Sequence, residues 1–418
     1  MYTCAGGSDC HFTREDTCRD EKEARVVNRE VHAVITKYSR LNNQGEFSLS
    51  PSLTRRENEN SLLRKERYRE NYLRRKVVNC QFGCLPTIIG SVPHKDPVRS
   101  CELVTHYLHD IPAWPQLPKR TFLENMYAQY SEGFPGLVIK DDKIYVDRKQ
   151  DLTKQLEQFY TDYLANDFSK YTLSPEYAAG FHTFIKLDKL APRAVKGHVT
   201  GPVSWGLTVT DETGKGIIYD ETLGDVVPKF LRLKASWQEQ VLSKLNRNTI
   251  IFVDEPYMTA FGSIAMQLSR EQVISALEET FAGIRGIKGV HCCGNTDWSI
   301  LLQTSTNIIH FDAYKYADSL AIYIPEVKKF LDRGGSIGWG IIPTDAESVN
   351  KESVASLKDR LESAISPFTR KGIPFKTLIE QGLLLPACGL GPIGSESAAE
   401  RALQLLAELS TYIRGKYL

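Results

Sequence analysis

Three residues of the sequence have the types and spacing of a zinc site: His291, Cys293 and Cys388. His291 and Cys293 lie two positions apart at the end of the apolar segment 288–293, so on a β-strand their side chains project to the same side. Cys388 follows a second apolar run, 383–387, and can supply a third ligand. One imidazole and two thiolates are a ligand set that zinc accepts, with a fourth position open.

The same residues have a simpler interpretation, because free cysteines often pack in protein cores and a histidine at a strand end is often only hydrogen-bonded. Gly294 and Gly389 favour the metal site, since tight turns after strands are where barrel active sites lie. Cys292 points to the opposite face and is expected to pack. A zinc site of this kind either activates water or binds a substrate thiol as thiolate, and two anionic sulfur ligands favour the thiol.

Bulk composition narrows the class of protein. The chain has 418 residues, a formal net charge of +1 and 25% charged residues, which does not indicate binding to nucleic acid or to an anionic membrane. No apolar run approaches the length of about 20 residues that spans a bilayer. The N-terminus lacks the pattern of an export signal, and the nine cysteines are scattered. A reduced, cytoplasmic setting is therefore expected, in which metal binding or catalysis outranks disulfides.

The composition of the sequence changes near residue 78. Residues 1–78 are polar and become dense in charge from 55 to 76, which predicts a partly disordered or helical extension. A basic docking helix and a second metal site at Cys4, Cys10 and Cys18 are the alternatives, although these cysteine spacings match no common metal motif. Residues 79–418 are predicted to form the folded domain.

This domain alternates short apolar runs with longer amphipathic stretches. Eight candidate strands begin near residues 87, 111, 195, 249, 288, 307, 336 and 383, and a hairpin insertion is predicted at 137–146. Helices are predicted at 269–284, 319–333, 351–369 and 397–417. Eight strand–helix units predict an α/β fold, a (β/α)₈ TIM barrel with insertions and an irregular N-terminal extension. A doubly wound open sheet is the alternative, but no nucleotide-binding glycine motif supports it.

In a barrel, polar residues at the carboxyl ends of the strands converge on one mouth. The pair Asp254-Glu255 follows the apolar run 250–253, where a carboxylate could bind a substrate ammonium group or transfer a proton. A capped helix start, with Pro256 as its first residue, is the alternative interpretation. The remaining polar residues at predicted strand ends are Ser91, His94, Trp114, Gln116, His198, Thr200, His310 and Asp312.

Five short motifs resemble a known family. In order they are Ile89-Gly90-Ser91-Val92-Pro93-His94, Thr200-Gly201-Pro202-Val203, Asp254-Glu255-Pro256, His291-Cys292-Cys293 and Ala387-Cys388-Gly389-Leu390. From about residue 84 to 417, the chain resembles the C-terminal catalytic barrel of cobalamin-independent methionine synthases. It also resembles the wider uroporphyrinogen-decarboxylase-like group of zinc methyltransferases.

The resemblance implies a (β/α)₈ fold and a Zn²⁺ ion held by His291, Cys293 and Cys388. A glutamate after the next strand completes the family's resting site, and Asp312, with a shorter side chain, stands at that place here. For the amino-acid substrate, the resemblance implies that backbone and hydroxyl groups of Ile89 to Ser91 grip it. Asp254, with Glu255 beside it, would receive its ammonium group.

Two departures from the family bear on the methyl donor. The extra N-terminal barrel of the full-length enzymes and their folate-contacting stretch are not found, so the chain resembles the short "core" type. The resemblance then implies methionine biosynthesis, in which homocysteine is methylated by methylcobalamin, a methylated corrinoid protein or methyltetrahydrofolate. A methyltransferase for another small thiol, similar to coenzyme M, is the alternative within enzymes. A non-catalytic corrinoid- or metal-binding partner protein is the alternative outside them.

Overall fold

A computed structural model of the protein describes residues 81–187 and 190–418. The predicted extension, 1–78, lies outside these residues. Ten strands are present in the described part of the chain: β1 (Leu85–Pro86), β2 (Leu137–Lys140), β3 (Lys143–Val146), β4 (Val195–Thr200), β5 (Thr210–Asp211), β6 (Thr249–Asp254), β7 (Ile287–Cys292), β8 (Ile308–Phe311), β9 (Ser336–Ile342) and β10 (Gly382–Pro386).

Seven strands form one parallel sheet in the order β1-β10-β9-β8-β7-β6-β4. Six of them lie where the apolar runs starting near 195, 249, 288, 307, 336 and 383 predict strands. The runs in β6, β8 and β10 consist mostly of Val, Ile, Leu and Phe because both faces of a parallel sheet are covered. The first strand was predicted at 87–91. In the structure, the segment that pairs with β10 is the two-residue strand β1, which lies just before that range.

The second predicted strand, near residue 111, does not form a continuous strand. Instead, segment 112–116 makes isolated parallel bridges on two sides, from Ala113 to Lys196 and from Gln116 to Ser91. The amide of Lys196 donates to the carbonyl of Pro112 at 2.9 Å, and the amide of Gln116 donates to Gly90 at 3.0 Å. Proline has no amide hydrogen to donate, which interrupts the ladder in this proline-rich segment. The segment nevertheless links both edges of the sheet, which curls into a TIM-like α/β architecture.

Helices cover the outer face of the sheet. In chain order within the described residues they are α1 (Pro97–Tyr107), α2 (Met126–Gln129), α3 (Thr153–Leu164), α4 (Ala179–Phe184), α5 (Pro202–Thr208), α6 (Leu223–Leu242), α7 (Arg270–Phe281), α8 (Trp298–Gln303), α9 (Ala317–Ala321), α10 (Ile324–Asp332), α11 (Ala346–Lys351), α12 (Val354–Arg370), α13 (Phe375–Glu380) and α14 (Glu396–Tyr417).

Side-chain caps set the start of several predicted helices. Ser269 and Ser353 form capping boxes at α7 and α12, and Ser395 accepts a hydrogen bond from Ala398 at the start of α14. Helix α14 buries an apolar face that includes Leu403, Leu406 and Ile413, and each such side chain contributes about 1.5–3 kcal/mol. The helix predicted at 319–333 is divided into α9 and α10.

The predicted hairpin at 137–146 is confirmed. Strands β2 and β3 are antiparallel, and β5 extends them into a small separate sheet. Asp141 and Asp142 both have positive φ angles, 51° and 54°, as a two-residue turn with a twist matching the strands requires. No helix in residues 81–187 and 190–418 is long and apolar enough to cross a membrane.

The interior of the curled sheet is apolar at one end and polar at the other. Side chains such as Ile250, Phe252 and Leu385 form a buried cluster inside the sheet, separate from the larger core under the helices. Farther along the same strands, the inward positions carry Asp254, His291 and His310, all buried. The alternation of a β-strand thus places polar residues at the carboxyl ends, above an apolar floor.

Candidate metal centre

Strand β7 delivers two of the predicted ligands. His291 lies within the strand and Cys293 follows its last residue, so both side chains face the interior. His291 is buried and Cys293 is half-buried. Cys292 points away and packs in the outer core, where burial raises the pKa of its thiol to about 12. Its inert position matches the expectation from strand alternation.

The third predicted ligand, Cys388, comes from the turn after β10. The amide of Ala387 donates to the carbonyl of Ile342 at 2.8 Å, which extends the pairing with β9 up to the ligand. The ligand atoms of His291, Cys293 and Cys388 all lie within 4.8 Å of one another. The sequence places these residues almost a hundred positions apart, and the sheet brings them together.

These distances can be compared with those of a zinc site. Zinc–sulfur bonds of about 2.3 Å and zinc–nitrogen bonds of about 2.0 Å at tetrahedral angles put sulfur and nitrogen ligands about 3.5 Å apart. The Sγ of Cys388 lies 3.7 Å from Nε2 of His291. One nitrogen and two sulfurs are also the soft donor set that zinc prefers over magnesium or calcium. The residues present therefore fit a tetrahedral zinc ion with one position left for another ligand.

The two thiols influence each other strongly. A hydrogen bond from Cys388 is the main cause that lowers the pKa of Cys293, to about 4, and His291 adds to the effect. The same hydrogen bond raises the pKa of Cys388, because a proton there bonds to the Cys293 thiolate. The two thiols are therefore strongly coupled, and Cys293 is the one whose pKa is lowered.

A second histidine contacts the predicted ligand His291. Nδ1 of His291 lies 2.6 Å from Nδ1 of His310 on β8, and Nε2 of His310 lies 3.1 Å from the carbonyl of Pro386. His310 is fully buried, and burial holds its pKa well below the ordinary value. Sequence reasoning placed His310 at a strand end but gave it no role.

Asp312, the candidate fourth ligand, is not in the group of three. Its carboxylate accepts a hydrogen bond from the amide of Lys315 at 2.8 Å, in the turn after β8. Burial raises its pKa to about 6, and the nearby Cys293 contributes to the rise. Asp312 therefore lies close enough to Cys293 for the two groups to interact electrostatically, while its oxygen stabilises the turn.

Asp254 lies beside the cluster, paired in register with His291 across β6 and β7. It is buried, and one carboxylate oxygen has no hydrogen-bond partner among the described residues. Burial raises its pKa to about 6, opposed by the charges of His291 and Lys196. An unpartnered carboxylate oxygen is costly in the interior, and a positively charged or hydrogen-bonding ligand would satisfy it.

The backbone and hydroxyl groups of Ile89 and Ser91, predicted to bind the substrate, make hydrogen bonds within the protein. The ammonium group of Lys196 is buried inside the sheet and donates to the carbonyl of Ile89 at 2.7 Å. It also lies 4.2 Å from the ring centre of Phe252. The hydroxyl of Ser91 accepts from the amide of Gly391 at 3.3 Å, in the turn that carries Cys388. These two residues shape the wall beside the cluster, and Lys196 is a contributor that sequence reasoning missed.

Glu255 caps a neighbouring helix, α5, whereas its side chain makes no capping hydrogen bond to the helical turn that begins at Pro256. Its carboxylate accepts hydrogen bonds from the amides of Val203 and Ser204, at 3.0 and 2.8 Å, and from the Ser204 hydroxyl at 2.6 Å. These amides belong to the first turn of α5, where a negative charge stabilises unpaired donors. Burial raises the pKa of Glu255 to about 7. The side chain is fully buried and anchors the helix after β4.

Replacing Glu255 by alanine should destabilise the fold strongly. Three buried donors on Val203 and Ser204 would lose their acceptor, which predicts a decrease of about 3 kcal/mol in the free energy of unfolding. Urea unfolding measures this, with Glu255→Gln as the matched control that keeps side-chain size and one carbonyl acceptor. A Glu255→Ala variant with the native unfolding midpoint would show that these hydrogen bonds do not anchor α5.

The comparisons with known proteins concern the fold. No family model matches the sequence, and no curated protein matches it. Among solved structures, the chain is similar to a B12-independent methionine synthase from Shewanella sp. W3-18-1 in complex with selenomethionine. The TM-score is 0.50 at 14% identity, over 79% of this chain and 98% of that one. At this identity the likeness shows a shared fold.

A methyltransferase from Methanosarcina mazei is also similar, with a TM-score of 0.38 at 14% identity. The match covers 55% of this chain and 64% of that chain. This weaker likeness carries no argument about the present chain.

Proposed function

We propose that the protein is a zinc-dependent methyltransferase that moves a methyl group to a thiol, with homocysteine as the acceptor and methionine as the product. The observation that carries the proposal is the group of His291, Cys293 and Cys388 at the carboxyl ends of the parallel strands. That end of an α/β barrel is where active sites lie. The fold shared with a methionine synthase, solved with selenomethionine, supports the choice of acceptor.

The ligand set supports a thiol substrate over water. Zinc bound by His291, Cys293 and Cys388 would stabilise the thiolate form of a substrate thiol at neutral pH. A free thiol has a pKa of about 8.5 and is mostly protonated at that pH. Two anionic cysteines reduce the acidity of a bound water, so the open position suits a soft sulfur donor better. Cys293 and Cys388 are half-buried, so the cluster is not sealed from solvent.

The surroundings of the cluster suit an amino-acid acceptor. Asp254 stands next to His291 with a free carboxylate oxygen, where the ammonium group of homocysteine would be held. Asp312 lies outside the group of three, and we infer that it caps its turn and adds negative potential rather than binding the metal. Ser91 and the carbonyl of Ile89 would bound the acceptor from the opposite wall.

We also infer that segment 112–116 occupies the eighth strand position of a (β/α)₈ barrel. It hydrogen-bonds to Lys196 of β4 on one side and to Gly90 and Val92 after β1 on the other. These are the two edges of the seven-stranded sheet. A closed ring would place Ser91, Asp254 and Cys388 around a single mouth.

The methyl donor is proposed from the sequence resemblance alone. The family's folate-contacting stretch is not found in this sequence, which points to methylcobalamin or a methylated corrinoid protein. The name of the structural neighbour says that it does not depend on B12, so methyltetrahydrofolate remains the other candidate.

A donor comparison on zinc-loaded protein tests this proposal. Homocysteine would be supplied with methylcobalamin in one series and methyltetrahydrofolate in the other, and methionine would be measured by mass spectrometry. Protein treated with a chelator is the control for metal dependence, and protein-free mixtures give the background transfer. We expect zinc-dependent methionine from methylcobalamin.

The other outcomes separate the alternatives. Methionine from methyltetrahydrofolate would contradict the corrinoid donor but not the acceptor. Methionine from neither donor would contradict homocysteine methylation by this protein alone, and coenzyme M-like thiols and corrinoid proteins would be tested next. Zinc binding without transfer to any thiol would favour a non-catalytic metal- or corrinoid-binding protein.

A further inference from the structure

The hydrogen bonds around His310 determine which nitrogen of His291 carries a proton. A carbonyl only accepts, so Nε2 of His310 must donate to Pro386 across the 3.1 Å contact. In that tautomer Nδ1 of His310 has a lone pair and accepts. Nδ1 of His291, 2.6 Å away, must therefore be the donor. The remaining nitrogen of His291, Nε2, faces Sγ of Cys388 at 3.7 Å and is the one that a metal ion would bind.

The ring of His310 reaches Pro386 across an intervening strand. His310 is on β8 and Pro386 ends β10, and β9 runs between them. The inward positions of β9 that lie under the ring are Gly338 and Gly340. A Cβ atom at Gly338 would lie 3.0 Å from Cβ of His310, and one at Gly340 would lie 2.9 Å from its Nε2. The two glycines therefore leave the space through which the histidine spans the strand.

We propose that His310 is a positioning residue that presents His291 to the metal in one tautomer and one orientation. The two hydrogen bonds of His310 form a relay from the carbonyl of Pro386 to His291 on β7. Pro386 lies two residues before the proposed ligand Cys388. The relay thereby fixes the ligand-bearing ends of two separate strands relative to each other. This inference rests on the metal site of the proposed function, and it holds for any thiol acceptor or methyl donor.

The predicted size of the effect follows from the role of such outer partners. The group that hydrogen-bonds to a metal-binding histidine fixes its tautomer and ring orientation, and losing it weakens metal affinity by about 10- to 100-fold. Most such partners are carboxylates or carbonyls. A neutral histidine does the same here because the carbonyl of Pro386 holds its own proton on Nε2.

Three substitutions separate the two hydrogen bonds of His310. In His310→Asn, the side-chain amide carries a polar atom near the position of Nδ1 and can still accept from His291, but it does not reach Pro386. In His310→Gln, the terminal amide lies near the position of Nε2 and can reach Pro386, but the acceptor for His291 is lost. His310→Phe keeps an aromatic ring and removes both bonds.

The measurement is zinc affinity, by competition with a chromophoric chelator, on the full chain, with thermal unfolding of the metal-free variants alongside. We expect a loss of about 10- to 100-fold for His310→Phe and His310→Gln and a clearly smaller loss for His310→Asn. Native affinity in His310→Phe would overturn the proposal. Equal losses in all three variants would also overturn it, because the ring would then only fill space.

A second measurement needs neither metal nor activity. In the metal-free native protein, the imidazole ¹⁵N shifts should show a proton on Nδ1 of His291 and on Nε2 of His310. A His291 ring without a proton on Nδ1, or a His310 ring without a proton on Nε2, would overturn the relay. If the native protein showed both protons and bound zinc but transferred no methyl group, the proposed function would fail while the relay would stand.

Discussion

Cys293→Ser and Cys388→Ser are expected to abolish zinc retention and methyl transfer while leaving the fold intact. A serine hydroxyl does not ionise at neutral pH, so each variant loses one anionic ligand. Structural zinc sites with four ligands bind with about 10–16 kcal/mol in total, which corresponds to about 3–4 kcal/mol per ligand. Zinc affinity should therefore decrease by about 10²- to 10³-fold, and methyl transfer should decrease at least as much.

The measurement is metal content after dialysis against a weak chelator, together with methionine formation under the conditions that support native turnover. Cys292→Ala is the matched control, since this residue is adjacent to Cys293 and faces the outer core. It should lose some stability but keep zinc and activity. If either serine variant retained full zinc and full turnover, the ligand assignment would be wrong.

Asp254→Asn should weaken acceptor binding by about 10²-fold without removing the metal. The carboxylate is buried and one oxygen has no protein partner, so a substrate ammonium group would be paired there in a desolvated position. Removing one partner of such a buried charged pair costs about 2–5 kcal/mol. We expect the effect in KM for homocysteine, with a smaller effect on kcat, because Asp254 is not one of the three ligands.

An acceptor without the amino group provides the control. A mercapto acid that lacks the ammonium group should bind poorly to the native protein, and Asp254→Asn should hardly change its KM further. The Asp254→Asn substitution also removes a negative charge that acts on the buried Lys196. The ammonium group of Lys196 would still donate to the carbonyl of Ile89 in this variant. An unchanged KM for homocysteine would show that the acceptor ammonium group is bound elsewhere.

Local sequence patterns predict most of the fold. Short apolar runs predict six of the seven parallel strands, because strands covered on both faces are rich in apolar residues. Serines before helices α7 and α14 mark their starts. Segment 112–116 is the exception. Its prolines interrupt the hydrogen-bond ladder, so only the two neighbouring edges of the sheet determine how it bridges them.

The ligand group could be predicted because it depends on strand alternation and on where apolar runs end. The partners of those ligands could not, since they depend on register between strands. The contact of His310 with His291 requires the two residues to be paired across β7 and β8. A signal was present in the sequence, in the alternating Gly338 and Gly340 of an otherwise bulky strand, but a reason for these glycines appears only once His310 is placed beside them.

The role of Glu255 could not be predicted from the sequence either. Asp254 and Glu255 are adjacent in sequence, and alternation sends them to opposite faces of β6. One therefore lies beside the metal cluster, while the other accepts hydrogen bonds from the first turn of α5. The sequence does not reveal the use of Glu255, because the helix that it anchors lies about fifty positions earlier in the chain.

The pairing of β1 with β10 has a consequence for the order of events during biosynthesis. Leu85 is paired with Leu383, so β1 cannot pair with its neighbouring strand until β10 has been synthesised. Contacts between such distant positions form slowly, and partly folded chains expose apolar edges meanwhile. Cys388 follows that late strand. The three residues of the cluster therefore come together only after β10 has been made, so a metal ion held by all three would bind late in biosynthesis.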